Sequence, residues 1–237
     1  MGRTRLSVIG YQLSVSALLV SAAAFAASGP LEIARDHQDR AALTKQIADL
    51  SAAAEKSPRD ADAQYRVALA SSYLAEVSLE LRDKNQAEHA AESGIQAAER
   101  AIALNANNAE YYRVLGTLCG QVIPANMLTA FSYGKRSQDA IAKALERDPK
   151  SARAYVARGV GHYYLPSALG GGMDTAIADF RKAIEVDPNS SEAYLWLGLA
   201  QRKSHRNADA RQAFTKSLAL DPDRVWTKEQ LDKTPAQ

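Results

Sequence analysis

"YLWLGLAQRKSHRNADARQAFTKSLALDP", residues 194–222, is the stretch on which the fold turns. Its second half ends in the amphipathic run "FTKSLAL" (214–220) followed by Asp221-Pro222, a dipeptide that stops a helix and starts a turn. Its first half sets Leu197 beside Gly198. A glycine at that place lets two helices approach, while Leu197 and Phe214 fill the seam between them. The stretch predicts a pair of packed helices.

The pair is one of several. "RDPKSARAY" (147–155) returns as "VDPNSSEAY" (186–194), and "LDPDRVW" (220–226) follows. Pro149, Pro188 and Pro222 are separated by 39 and 34 residues, and each follows an Asp that closes an amphipathic run: "AIAKALER", "FRKAIEV", "FTKSLAL". Units repeating at this period bury a continuous core only by stacking. The pattern resembles the tetratricopeptide repeat (TPR), a helix-turn-helix unit of about 34 residues. In the last unit Tyr194 stands for the family's tryptophan, Leu197-Gly198, Ala210, Phe214 and Pro222 follow at the family's spacing, and Gln201 replaces the second aromatic. The preceding unit has Tyr155, Gly159, Ala176, Phe180 and Pro188, with Arg158 in the leucine position and five extra residues between its helices. One unit earlier come Tyr112, Leu115-Gly116, Ala144 and Pro149, with nine extra residues and Cys119 in an aromatic position. Leu69-Ala70 and Tyr73 open an over-long first unit that closes at Ala106.

The resemblance implies an all-α, right-handed helical solenoid of about 3.5–4 helix-turn-helix units with elongated first units. Its expected divisions are an N-terminal linker and capping helix over 27–62, the solenoid over 63–222, and a C-terminal capping helix and tail over 223–237, with Trp226 folding back onto the last repeat. The segment "LTKQIADLSAAAEKSP" (43–58) reads as a lone second helix at the front. More narrowly, the long first units, "AAERAIALNANNAEYYRVLG" (97–116) and the insert from Pro166 to Gly171 resemble exported bacterial TPR proteins. That group includes the TPR lipoprotein associated with TRAP-type (tripartite, periplasmic-binding) solute transporters, whose acylated cysteine has no counterpart here.

Residues 1–26 read as a signal peptide cleaved after Ala26: Arg3 and Arg5 precede the apolar run "LSVSALLVSAAAFA" (13–26), which closes on Ala24-Phe25-Ala26. A largely apolar run of fourteen residues falls short of the roughly 20 that a bilayer-crossing helix needs, so a periplasmic or secreted protein without a stable membrane anchor is expected. Cleavage would leave 27 basic residues (29 minus 2) against 27 acidic ones, since residues 1–26 carry no Asp or Glu. A neutral chain lacks the basic footprint of a nucleic-acid or anionic-lipid binder. Cys119 is the sole cysteine, which rules out an internal disulfide.

"LPSALGGGMDTA" (165–176) tests for a phosphate site and fails, having neither a preceding strand nor a Gly-Lys-Ser/Thr exit. It reads as an enlarged turn in which Pro166 ends one helix, Gly170 to Gly172 permit positive backbone angles, and Asp174 caps the next helix. His37, His89, His162 and His205 form no pair on one helical turn, so no metal or cofactor is expected. His162 and Cys119 occupy seam positions, where a packed, hydrogen-bonded histidine and a buried thiol are expected. No catalytic constellation can be assembled, and the chain reads as non-catalytic.

The informative surface is the other face of each unit's first helix, which in a TPR superhelix lines a concave groove. Steps of three or four residues give Glu110, Arg113, Thr117 and Gln121, then Arg153, Val156, Val160, Tyr163 and Tyr164, then Glu192, Trp196, Leu199, Arg202 and Lys203. Arg113, Gln121, Arg153, Tyr163, Tyr164, Trp196, Arg202 and Lys203 are the predicted partner-binding residues, since aromatic and arginine side chains dominate binding hot spots. Thr117 and Val160 stand where the chaperone-binding clamp requires asparagine. The expectation is an exported scaffold that holds a protein or peptide in its groove. The narrower resemblance implies an alternative, a transporter accessory that binds or hands over a small ligand, with a transporter component as partner.

Overall fold

The computed structural model describes residues 29–124 and 129–236, so the signal peptide expected over 1–26 lies outside the described residues. Among the described residues there are eleven α-helices and no strand. They follow one another as packed pairs: α1 (Pro30–Asp36) with α2 (Arg40–Lys56), α3 (Ala61–Glu80) with α4 (Lys84–Leu104), α5 (Ala109–Val122) with α6 (Ala130–Arg147), α7 (Ala152–Tyr164) with α8 (Met173–Val186), and α9 (Ser191–Lys203) with α10 (Asn207–Leu220). A final helix, α11 (Val225–Asp232), packs on α10. The first helix of each pair packs on both helices of the pair before it, α5 on α3 and α4, α7 on α5 and α6, and α9 on α7 and α8, which is the all-α TPR solenoid.

The repeated Asp-Pro motif does two jobs. Asp148 and Asp187 end α6 and α8, and each carboxylate accepts the backbone N–H two residues on, at 3.0 Å, closing a turn. Ser151 and Ser190 then cap α7 and α9 by accepting the N–H of Ala154 and Ala193. The seams are as tight as the glycines predict. A Cβ on Gly159 would lie 2.5 Å from the Phe180 ring, and one on Gly198 would lie 2.6 Å from the Phe214 ring. Both phenylalanines are fully buried.

Three details differ from the sequence reading. The helix at the front is not alone: it starts at Arg40, is capped by Asp39, and pairs with the seven-residue α1. The surplus length of the first unit lies in its helices, of 20 and 21 residues. Asp174 does not cap α8; Gly172 holds that position, and Asp174 sits in the first turn, where the helix dipole favours a carboxylate. In the glycine turn Gly170 and Gly172 take positive φ, 86° and 107°. Gly171 is needed for a different reason, since a Cβ there would fall 2.2 Å from the Leu165 carbonyl oxygen.

Candidate functional site

The end of α7 and the middle of α9 build an aromatic wall. Tyr163 and Tyr164 meet edge to face at 4.9 Å, and the Trp196 ring stands 5.8 Å from Tyr163 and 6.4 Å from Tyr164, again edge-on. Behind it Phe180 stacks on Trp196 at 6.3 Å, and beside it Trp226 of α11 approaches to 5.8 Å. Lys203 holds its ammonium 4.2 Å from the Tyr163 ring centroid and donates to the Tyr163 carbonyl at 3.3 Å. Tyr164 is 65% exposed, whereas Trp196 is half-buried, its inner edge part of the core. The wall is thus an exposed ring on a pre-ordered aromatic base.

The other predicted residues divide by their partners. Arg113 is buried and ion-paired with Glu110 at 2.9 Å; the same carboxylate takes the Tyr65 hydroxyl at 3.4 Å and lies 3.8 Å from the exposed Arg153. Gln121 is engaged with Ser72, donating to its carbonyl at 3.1 Å and accepting its hydroxyl at 3.3 Å, which ties α5 to α3. Arg202 is a correction. Its guanidinium donates to the Gln230 carbonyl at 3.0 Å, the Gln230 side chain at 2.7 Å and the Thr234 hydroxyl at 3.3 Å, fastening the C-terminal segment to α9 instead of facing a partner. His162 is packed and bonded as expected, its Nδ1 2.7 Å from Asp179, which also binds Arg158. Cys119 is buried, and that burial pushes its thiol up to about 11.

Sequence reasoning missed a closure between the two ends of the solenoid. Arg224, just before α11, is 4% exposed and reaches back to the first repeat. It binds Glu80, pairs with Glu76 at 2.6 Å, donates to the Arg35 carbonyl at 3.2 Å and lies 3.8 Å from Asp36. Arg35 spans the other way, 3.9 Å from Asp221 and 5.0 Å over the Tyr73 ring, whose hydroxyl meets Glu32. Helix α1 is therefore held between α3 and the C-terminal cap. Burial raises the carboxyls of Glu76, to about 7, and of Glu80, against the pull of Arg224 and Arg35. A cavity of about 10 Å³, lined by Ser191, Ser217, Thr227 and these charges, has room for about one water. One signal was present: Tyr65, Leu69, Tyr73, Glu76 and Glu80 step at the groove stride in the first repeat. No described helix is long and apolar enough to cross a membrane.

The chain matches two family models that meet inside the glycine turn. Residues 32–168 match the family described as Regulator of microtubule dynamics protein 1-3, and residues 170–225 match the tetratricopeptide repeat. No curated protein matches the chain. Among solved structures, a thermophilic TPR protein of Thermus thermophilus is similar at 18% identity and a TM-score of 0.62, over 86% of this chain and 96% of that one. The HusA haemophore of Porphyromonas gingivalis is similar at 19% identity and a TM-score of 0.59, over 75% and 95%. At these identities the two structures establish the fold alone. The first family match spans more than half of the 237 residues, so the chain, a TPR solenoid, belongs to the Regulator of microtubule dynamics protein 1-3 family.

Proposed function

We propose that this protein is a non-catalytic, exported scaffold that binds an extended protein segment along the wall of Tyr163, Tyr164 and Trp196. TPR proteins bind protein or peptide partners, and this wall has the chemistry for one. The observation that carries the reading is the ring of Tyr164, 65% exposed yet held edge-on against Tyr163 and Trp196. An aromatic ordered before binding adds buried area with little loss of conformational entropy. Lys203 and the exposed Arg153 supply cations that favour an acidic or carbonyl-rich segment. A transporter component would be one partner of this kind. A solute held inside the closure is disfavoured, because its cavity of about 10 Å³ is too small.

The test begins with the partner recovered from the periplasmic or secreted fraction and titrated against wild type and Tyr164→Ala. Loss of about 1–2 kcal/mol of binding with an unchanged melting temperature is expected. Equal affinity would place the site elsewhere. Export is tested by intact mass, with a mature chain beginning at Ala27 as the expected result.

A further inference from the structure

The closure and the aromatic wall share one short segment. Arg224 sits 5.7 Å from the Trp226 ring centroid, and Trp226 sits 5.8 Å from Trp196. A contiguous path therefore runs from Glu76 and Glu80 through Arg224 and the two tryptophans to Tyr163 and Tyr164. The closure is also unbalanced in charge. Two guanidiniums, Arg35 and Arg224, face five carboxylates: Asp36 of α1, Glu76 and Glu80 of α3, Glu192 of α9, and Asp221 at the end of α10. The Tyr73 phenol lies against the same groups. With Glu80 and Asp36 almost fully buried here, surplus negative charge is costly unless a proton relieves it.

We propose that Arg224 is the pin of a proton-sensitive latch, which couples the docking of α1 and the C-terminal cap to the position of Trp226 in the aromatic wall. Glu76 is the proton's seat. Its carboxyl is raised from 4.5 to about 7 when the latch is closed, because burial outweighs the attraction of Arg224 and Arg35. The closed form thus binds a proton that the open form releases. That contribution to closure is complete below pH 4.5 and is lost as pH rises to about 7. Across that interval the open population rises about tenfold per pH unit, and above it the population levels off.

The latch itself needs no partner, so its test is separate from that of the binding reading. The chain has two tryptophans, Trp196 and Trp226, which touch each other at the latch end of the wall, so fluorescence excited selectively in tryptophan reports on that end. Acrylamide quenching is measured from about pH 5 to about pH 8 on the full chain. Quenching that rises with pH and levels off near neutrality is expected for wild type, and a flat, weakly quenched profile for Glu76→Gln. Glu80, whose carboxyl burial also raises, is the competing titrant, and Glu80→Gln should keep the slope with pH that Glu76→Gln abolishes. Should Glu76→Gln fail to fold, Glu192→Gln removes one surplus charge and should move the transition to lower pH. A flat wild-type profile, a slope retained in Glu76→Gln, or an unmoved transition in Glu192→Gln overturns the proposal.

Discussion

The face that the stride marks on each repeat's first helix is built in two ways in one molecule, with opposite results. At the first repeat it is filled: α1 lies against α3, Glu76 and Glu80 are engaged by Arg224, and Tyr73 is covered by Arg35. At the third and fourth repeats, α7/α8 and α9/α10, it is open, and Tyr164 faces solvent above Trp196. Both regions use the same stride on the same kind of helix. The difference lies in whether the chain's own ends return to cover the stripe, so a stripe of hot-spot residues identifies a binding face only where no terminus of the same chain occupies it.

The largest expected effect breaks the filled region. Arg224→Ala would leave Glu80 buried without its pin, and should cost about 3–5 kcal/mol in urea unfolding at about pH 5, where the latch is closed. A loss below about 1 kcal/mol would mean that the closure does not form in solution. Next, Trp196→Ala tests whether the open region is also core. The ring touches Phe180 and Trp226 as well as the tyrosines, so a stability loss of about 2–3 kcal/mol is expected alongside weaker binding. An unchanged melt with lost binding would make Trp196 a pure surface anchor and sharpen the contrast.

Smaller changes probe the frame that both regions share. Gly198→Leu should lower stability by about 1–3 kcal/mol, because even a Cβ collides with Phe214. Gly171→Ala should cost about 1 kcal/mol or more although its φ is ordinary, because the methyl would strike the Leu165 carbonyl. Thermal melting decides both. Smallest of all, Arg153→Ala should leave the melt within about 0.5 kcal/mol, since its pair with Glu110 is long and exposed. Any loss of affinity in that variant, shrinking at high salt, then belongs to the open wall.

What the sequence made legible was local. Gly159 with Phe180 and Gly198 with Phe214 are partners within one unit, so their spacing announced the seams. Tyr163, Tyr164 and Trp196 come from adjacent units, and the stride brought them together correctly. Arg202 and Arg224 were not legible in the same way. Their partners are set by where the chain's end lands after several small rotations between pairs, and no single stretch encodes that sum. Arg202 carried the right residue type for a hot spot and the right register, yet Gln230 and Thr234 take its donors. Asp179, on the second helix of its unit and so outside the stripe, escaped notice because it serves His162 and Arg158 inside a seam.

The closure has a consequence for how such a chain can change over generations. An open solenoid tolerates gain or loss of a unit, because each repeat touches only its neighbours. Here residue 224 must meet residues 36, 76 and 80. Inserting or deleting one helical pair anywhere between them would rotate and displace the cap by a full unit, stranding Arg224 in one place and three carboxylates in another. The number of pairs is therefore locked by a single arginine, and lineages of this architecture should vary in turn length, as at the glycine insert, while keeping their count of repeats.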